Sequence, residues 1–186
     1  ESLRLLSFGL LLAFFSSFGQ TFFIALFNAE FRETFGLTHG SFGSLYSLAT
    51  LASGLSMLWF GAQIDRIDLR FYAGAACALL ALACLLLSQA EHVVLFVFCI
   101  FLLRLSAQGV MSHAAVTSMA RYFEAGRGRA IAVATMGHPA GEAIFPILAV
   151  ATAAAIGWRN LWLGLSVLVL LAVLPLVVWL LRGQRE

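Results

Sequence analysis

The chain contains no lysine, so all eleven of its basic side chains are arginine. Acidic residues number nine, and charged residues of both signs make up only 11% of the 186 positions, against about 25% in a soluble domain. A surface so poor in charge excludes an ordinary water-soluble globule. The formal net charge of +2 is too small for the electrostatic footprint of a nucleic-acid-binding protein. Cys77, Cys84 and Cys99 fall inside apolar stretches without metal-ligand spacing, and their odd number gives no disulfide framework. They read as small buried hydrophobes, and no metal or cofactor is expected. The alternating ten-residue strands of a membrane barrel are also missing.

What the chain has instead is apolar length. It is 62% hydrophobic, with a mean hydropathy of +0.97. Six apolar runs, each near the roughly 20 residues that cross a bilayer, are separated by short polar breaks. They cover about residues 5–27, 41–62, 71–90, 93–119, 130–156 and 161–181. The first is too long for a signal peptide and has no small-residue cleavage site after it, so it reads as a retained span. Spanning segments must satisfy their own backbone hydrogen bonds, which predicts helices throughout. The fold class is therefore all-α, a polytopic bundle of six transmembrane helices in one domain, residues 1–186. The segment from Asn28 to Gly40 reads as a helical extension at the interface. The break at Glu91-His92 predicts a tight hairpin between spans three and four.

Arginine placement predicts the orientation. With the N-terminus cytoplasmic, Arg4, Arg66, Arg70, Arg121, Arg127, Arg129, Arg182 and Arg185 lie inside, and only Arg32 and Arg159 outside. Both termini are expected in the cytoplasm, in a plasma membrane of bacterial inner-membrane type.

Arg104 is the one formal charge inside the fourth run. A charge near mid-membrane is costly and usually marks a partner or a pathway. Glu142 lies at a similar depth in the fifth run. Gln108 is four residues after Arg104, and His138 is four residues before Glu142, so each pair shares a helix face. In an antiparallel pair, residues at equal height have a constant sum of positions, and 104 with 142 gives the same sum as 108 with 138. One register thus sets Arg104 level with Glu142 and Gln108 level with His138. Two readings follow. The charges neutralise each other between helices, or they line a path where Arg104 and Gln108 bind an anion and Glu142 or His138 carries a proton. Gln20, in the polar centre Ser16, Ser17, Gln20 and Thr21 of span one, is expected either to face a cavity or to hydrogen-bond between helices. Pro139 and Pro146 bracket Glu142 and predict an irregular helix there. Gly137 and Gly141 form a G-x-x-x-G pair suited to close helix packing. His113 points roughly opposite Arg104 and reads as a packing histidine.

The loop after span two reads Gly61-Ala-Gln-Ile-Asp65-Arg66-Ile-Asp68-Leu-Arg70. It resembles the signature loop of the major facilitator superfamily at Gly61, Asp65, Arg66 and Arg70, with Asp68 standing where that family usually has glycine. Arg104 with Gln108-Gly109, the run Arg121-Tyr122-Phe123 to Arg127-Gly128-Arg129-Ala130, and Gly157-Trp158-Arg159 are similar to further stretches of the family's N-terminal half. A closer resemblance is to its monocarboxylate- and organic-anion-carrying branches. The resemblance implies half of a twelve-helix secondary transporter working by alternating access. Its expected partners are a small anionic solute, the bilayer and a missing C-terminal six-helix half, so the chain is expected to be a fragment. It also implies that helices one and four line the cavity, placing Gln20 and Arg104 there. The loop would act as a cytoplasmic gate, with Asp65 amid Arg66, Arg70, Arg127 and Arg129. An enzyme is not expected: an intramembrane protease would need a Gly-x-Ser-Gly site, and none is present. A channel would need a long apolar re-entrant loop, and no loop qualifies.

Overall fold

The computed structural model describes residues 2–183; Arg185, counted above on the inner side, lies outside them. Six helices long and apolar enough to cross a membrane run over Ser2–Phe35, His39–Asp65, Leu69–Gln89, Val93–Tyr122, Arg127–Ile156 and Trp158–Leu180. No strand occurs among the described residues. The all-α membrane bundle is therefore as the sequence predicts, with spans longer than their apolar cores. The extension after span one is helical over Asn28–Phe35.

Local chemistry sets the boundaries. Gly36 ends the first helix in the left-handed region, at φ 64°, where a Cβ would be strained. Thr38 and Ser41 then open the second with a capping box: the Thr38 hydroxyl accepts from the Ser41 amide at 3.1 Å and Ser41 Oγ accepts from the Thr38 amide at 2.8 Å. Asp68 caps the third helix by accepting from the Arg70 amide at 2.7 Å.

Span four is central and packs on spans one, two and three; span one also packs on spans five and six. Spans two and five are the least buried. Polar links tie the outer members together. Ser166 Oγ donates to the Ala81 carbonyl at 2.6 Å, and Arg4 donates to the Trp179 carbonyl at 2.7 Å. Arg159 donates to the Ser88 carbonyl at 3.0 Å.

Two spans depart from straight α-helix where the site forms. Span one is α-helical to Phe15, turns as 3₁₀ over Ser16–Gly19, and becomes extended at Gln20 (φ −81°, ψ 153°) before resuming at Thr21. Span four widens to a π-helix over Arg104–Met111. The irregularity expected around Glu142 falls elsewhere. Span five is interrupted at Met136, and Glu142 sits inside the continuous helix Gly137–Ile156. Pro139 lies in the first turn of that helix, where amides have no helical acceptor and a proline costs little.

Candidate functional site: two polar cavities beside a broken helix

The break in span one leaves a carbonyl unclaimed. The Phe23 amide bonds to Gln20 O at 3.2 Å, so the Gly19 carbonyl lacks the helical donor it would otherwise have. Arg104 supplies one: its Nη1 donates to Gly19 O at 3.0 Å. A free carbonyl in an apolar interior costs of the order of 1–3 kcal/mol, so the bond stabilises the break. Gly19 is needed for the approach, because a Cβ there would lie 2.2 Å from Leu103 O and 2.5 Å from Ala107 Cβ. The Arg104 side chain is 6% exposed. Its guanidinium stacks over the Tyr46 ring, 5.5 Å from the centroid, and its Nε is buried without a hydrogen-bond partner.

The level pairing of Arg104 with Glu142 is not formed. The acid–base pair among the described residues is Arg121 with Asp65. The level rule requires two straight neighbouring helices, and spans four and five pack together through the halves next to their connecting loop, Ser112–Tyr122 and Arg127–Thr135. Beyond Met136, span five leans onto span one, where Gly137 and Gly141 replace side chains. A Cβ on Gly137 would lie 2.4 Å from Leu10 O, and one on Gly141 would lie 2.0 Å from Ser17 Oγ. Span one therefore accepts both the hydrogen bond of Arg104 and the small-residue face of the helix carrying Glu142.

Two cavities result. The first, about 300 Å³, is lined by Gln20, Phe22, Gln108, Ser112, His138 and Glu142. Four of the residues expected at the site thus meet in one place. The hydroxyls of Ser16 and Ser112 connect them. Gln20 Nε2 lies 3.4 Å from each, the two hydroxyls are 3.3 Å apart, and Ser16 Oγ is 3.5 Å from His138 Nδ1. The second cavity, about 210 Å³, is lined by Thr50, Ser53, Gly54, Met57, Arg104, Gln108 and Gly109. Gln108 lines both. The contribution of Tyr46, Thr50 and Ser53 was missed in the sequence. Their spacing of four and three residues puts them on one face of a leucine-rich helix, and that polar stripe was the available signal.

At the end of the bundle that carries the loop between spans two and three, Asp65 pairs with Arg121, which also donates to the Ile64 carbonyl at 3.3 Å. The expected partners Arg66, Arg70, Arg127 and Arg129 do not take that place. Arg66, Arg127 and Arg129 are exposed, and Arg70 has its amide capped by Asp68. The nearer base closes span four, directly opposite the loop. His113 has its Nε2 3.2 Å from Gly61 O, a packing contact between spans four and two that agrees with its expected role.

The six-helix membrane bundle has a broken span, backed by a buried arginine and opening on polar cavities, and non-helical backbone at membrane depth is tolerated only in protein or beside a cavity. A sequence profile of the Major Facilitator Superfamily matches residues 9–186. The chain belongs to that family and is a membrane transporter of the major facilitator kind. No curated protein and no solved structure gives a significant match.

Proposed function

We propose that the protein is a secondary active transporter that carries a small organic anion by alternating access, coupled to protons. The observation that carries this reading is Arg104, a 6% exposed cation that lines a cavity and is paired with no carboxylate among the described residues. A buried charge without a counter-ion is costly. A carboxylate in the 210 Å³ cavity would supply the missing charge, and Thr50 and Gln108 offer it further donors. Glu142 and His138, in the adjoining cavity with Gln20, are the proposed proton carriers.

The proposed setting is a bacterial inner membrane with both termini cytoplasmic, as the arginine asymmetry indicates. Glu142 is exposed on span five, and a carboxylate at such depth does not face lipid. A second six-helix unit closing over spans two and five is the proposed partner, and the Asp65–Arg121 pair lies at the inner gate between them.

The test is uptake by the full protein in proteoliposomes, using acetate, lactate, succinate and benzoate under an imposed pH gradient. Saturable uptake of at least one acid, lost in Arg104→Gln, is expected. Glu142→Gln should leave exchange intact while removing the response to the gradient. Uptake undiminished in Arg104→Gln would overturn the anion assignment, and a preserved gradient response in Glu142→Gln would overturn that proton carrier.

A further inference from the structure

Arg104 is held on two sides, and one of its holders has no part in the reading above. Its Nη1 donates to Gly19 O of span one at 3.0 Å. Its guanidinium lies over the ring of Tyr46, from span two, at 5.5 Å. Tyr46 is itself fixed: its hydroxyl and that of Thr21 are 2.9 Å apart. Thr21 follows Gly19 by two residues, just past the break in span one. The contacts therefore close a ring through three spans, from Arg104 to Gly19, along the chain to Thr21, across to Tyr46, and back to Arg104.

We propose that Tyr46 is a positioning residue for anion recognition, aiming the free edge of the Arg104 guanidinium into its cavity. The proposal rests on the reading of Arg104 as the anion-binding group. A guanidinium is planar, and it recognises a carboxylate through a pair of parallel N–H donors. Its usefulness depends on the angle at which that plane is held. The Gly19 carbonyl fixes one nitrogen and leaves rotation about that bond open. The aromatic face of Tyr46 restricts the rotation, because a cation gains most over the ring. The hydroxyl bond to Thr21 fixes the ring in turn. Tyr46 also lines a separate cavity of about 250 Å³ with Thr21 and His39. Tyr46 offers the anion no charge of its own. Its substitution should weaken carboxylate binding while sparing a neutral ligand of the same shape.

The experiment uses the full protein in nanodiscs and follows thermal stabilisation by benzoate, acetate, lactate and succinate, each against its neutral amide. Wild type, Tyr46→Phe, Tyr46→Leu and Arg104→Gln are compared. Tyr46→Phe keeps the ring and loses only the Thr21 bond; Tyr46→Leu keeps apolar bulk and loses the aromatic face. The half-saturating concentration of a binding carboxylate is expected to rise about tenfold in Tyr46→Leu and about twofold to threefold in Tyr46→Phe. That of its amide should change less than twofold in both. A purely structural role for Tyr46 would weaken acid and amide alike, and that result overturns the proposal. An unchanged carboxylate response in Tyr46→Leu, with the response lost in Arg104→Gln, overturns the role of Tyr46 and leaves Arg104 as the anion site. A carboxylate response that survives Arg104→Gln, or no response in wild type, overturns both readings. Should Arg104→Gln fail to fold, the acid-to-amide ratio in the two Tyr46 variants decides the matter.

Discussion

At the scale of single residues, Arg104 and Gly19 depend on each other. A lone guanidinium in an apolar interior needs acceptors, and a helix that stops mid-span leaves a carbonyl needing a donor. The 3.0 Å bond gives the carbonyl its donor and the guanidinium one of its acceptors, and the contact needs a residue without a side chain at position 19. Gly19→Ala should therefore destabilise the folded bundle. The new methyl would meet Leu103 O at 2.2 Å and Ala107 Cβ at 2.5 Å, a backbone atom and a rigid methyl, neither able to swing away. Overpacking of this kind costs about 1–3 kcal/mol. The matched control is Gly43→Ala, where nothing lies within 4 Å and the melt should hold or rise slightly, since alanine favours helix. Melting curves in detergent compare the two. Equal melting temperatures would mean that Gly19 does not set the approach of spans one and four.

At the scale of elements, span five shows where sequence reading succeeds and where it stops. Its length and the small-residue face of Gly137 and Gly141 are legible, because an apolar run and a G-x-x-x-G pair are local signals, and Glu142 stands out as an acid within an apolar run. Its neighbour is not. The level rule paired Glu142 with Arg104 on the assumption that spans four and five stay together. The small face of Gly137 and Gly141 instead turns the outer half onto Leu10, Phe14 and Ser17 of span one. A different assumption, that each apolar run is one continuous helix, hid the break at Ser16–Gly19, since two serines and a glycine are also compatible with a continuous membrane helix. Pro146 does act beside Glu142, though as part of a continuous helix. It has no N–H, so the Glu142 carbonyl four residues earlier receives no helical bond. Pro146→Ala would restore that donor. Its expected effects are a rise of a few degrees in melting temperature and slower amide exchange over residues 142–150. Unaltered exchange in that stretch would show that the Glu142 carbonyl is already satisfied in another way.

At the scale of the whole molecule, the six spans and their order follow from apolar length alone, and the family profile over residues 9–186 agrees with them. The orientation rests on a different property, the distribution of arginine. Alternating helices bring Arg32 and Arg159 to one end of the bundle. They bring Arg4, Arg66, Arg70, Arg121, Arg127, Arg129 and Arg182 to the other. Arginine near a span end is retained on the cytoplasmic side, so the end holding the Asp65–Arg121 pair should face the cytoplasm. Single-cysteine labelling in intact cells tests this with little background, because Cys77, Cys84 and Cys99 are all 0% exposed. Glu33→Cys, on the exposed surface of the extension after span one, should react with a membrane-impermeant maleimide. Ala125→Cys, in the exposed turn between spans four and five, should react only after permeabilisation. The opposite pattern would invert the molecule in its membrane. The helix packing would stand, but the Asp65–Arg121 pair would then lie at the outer mouth and the proposed proton path would run the other way.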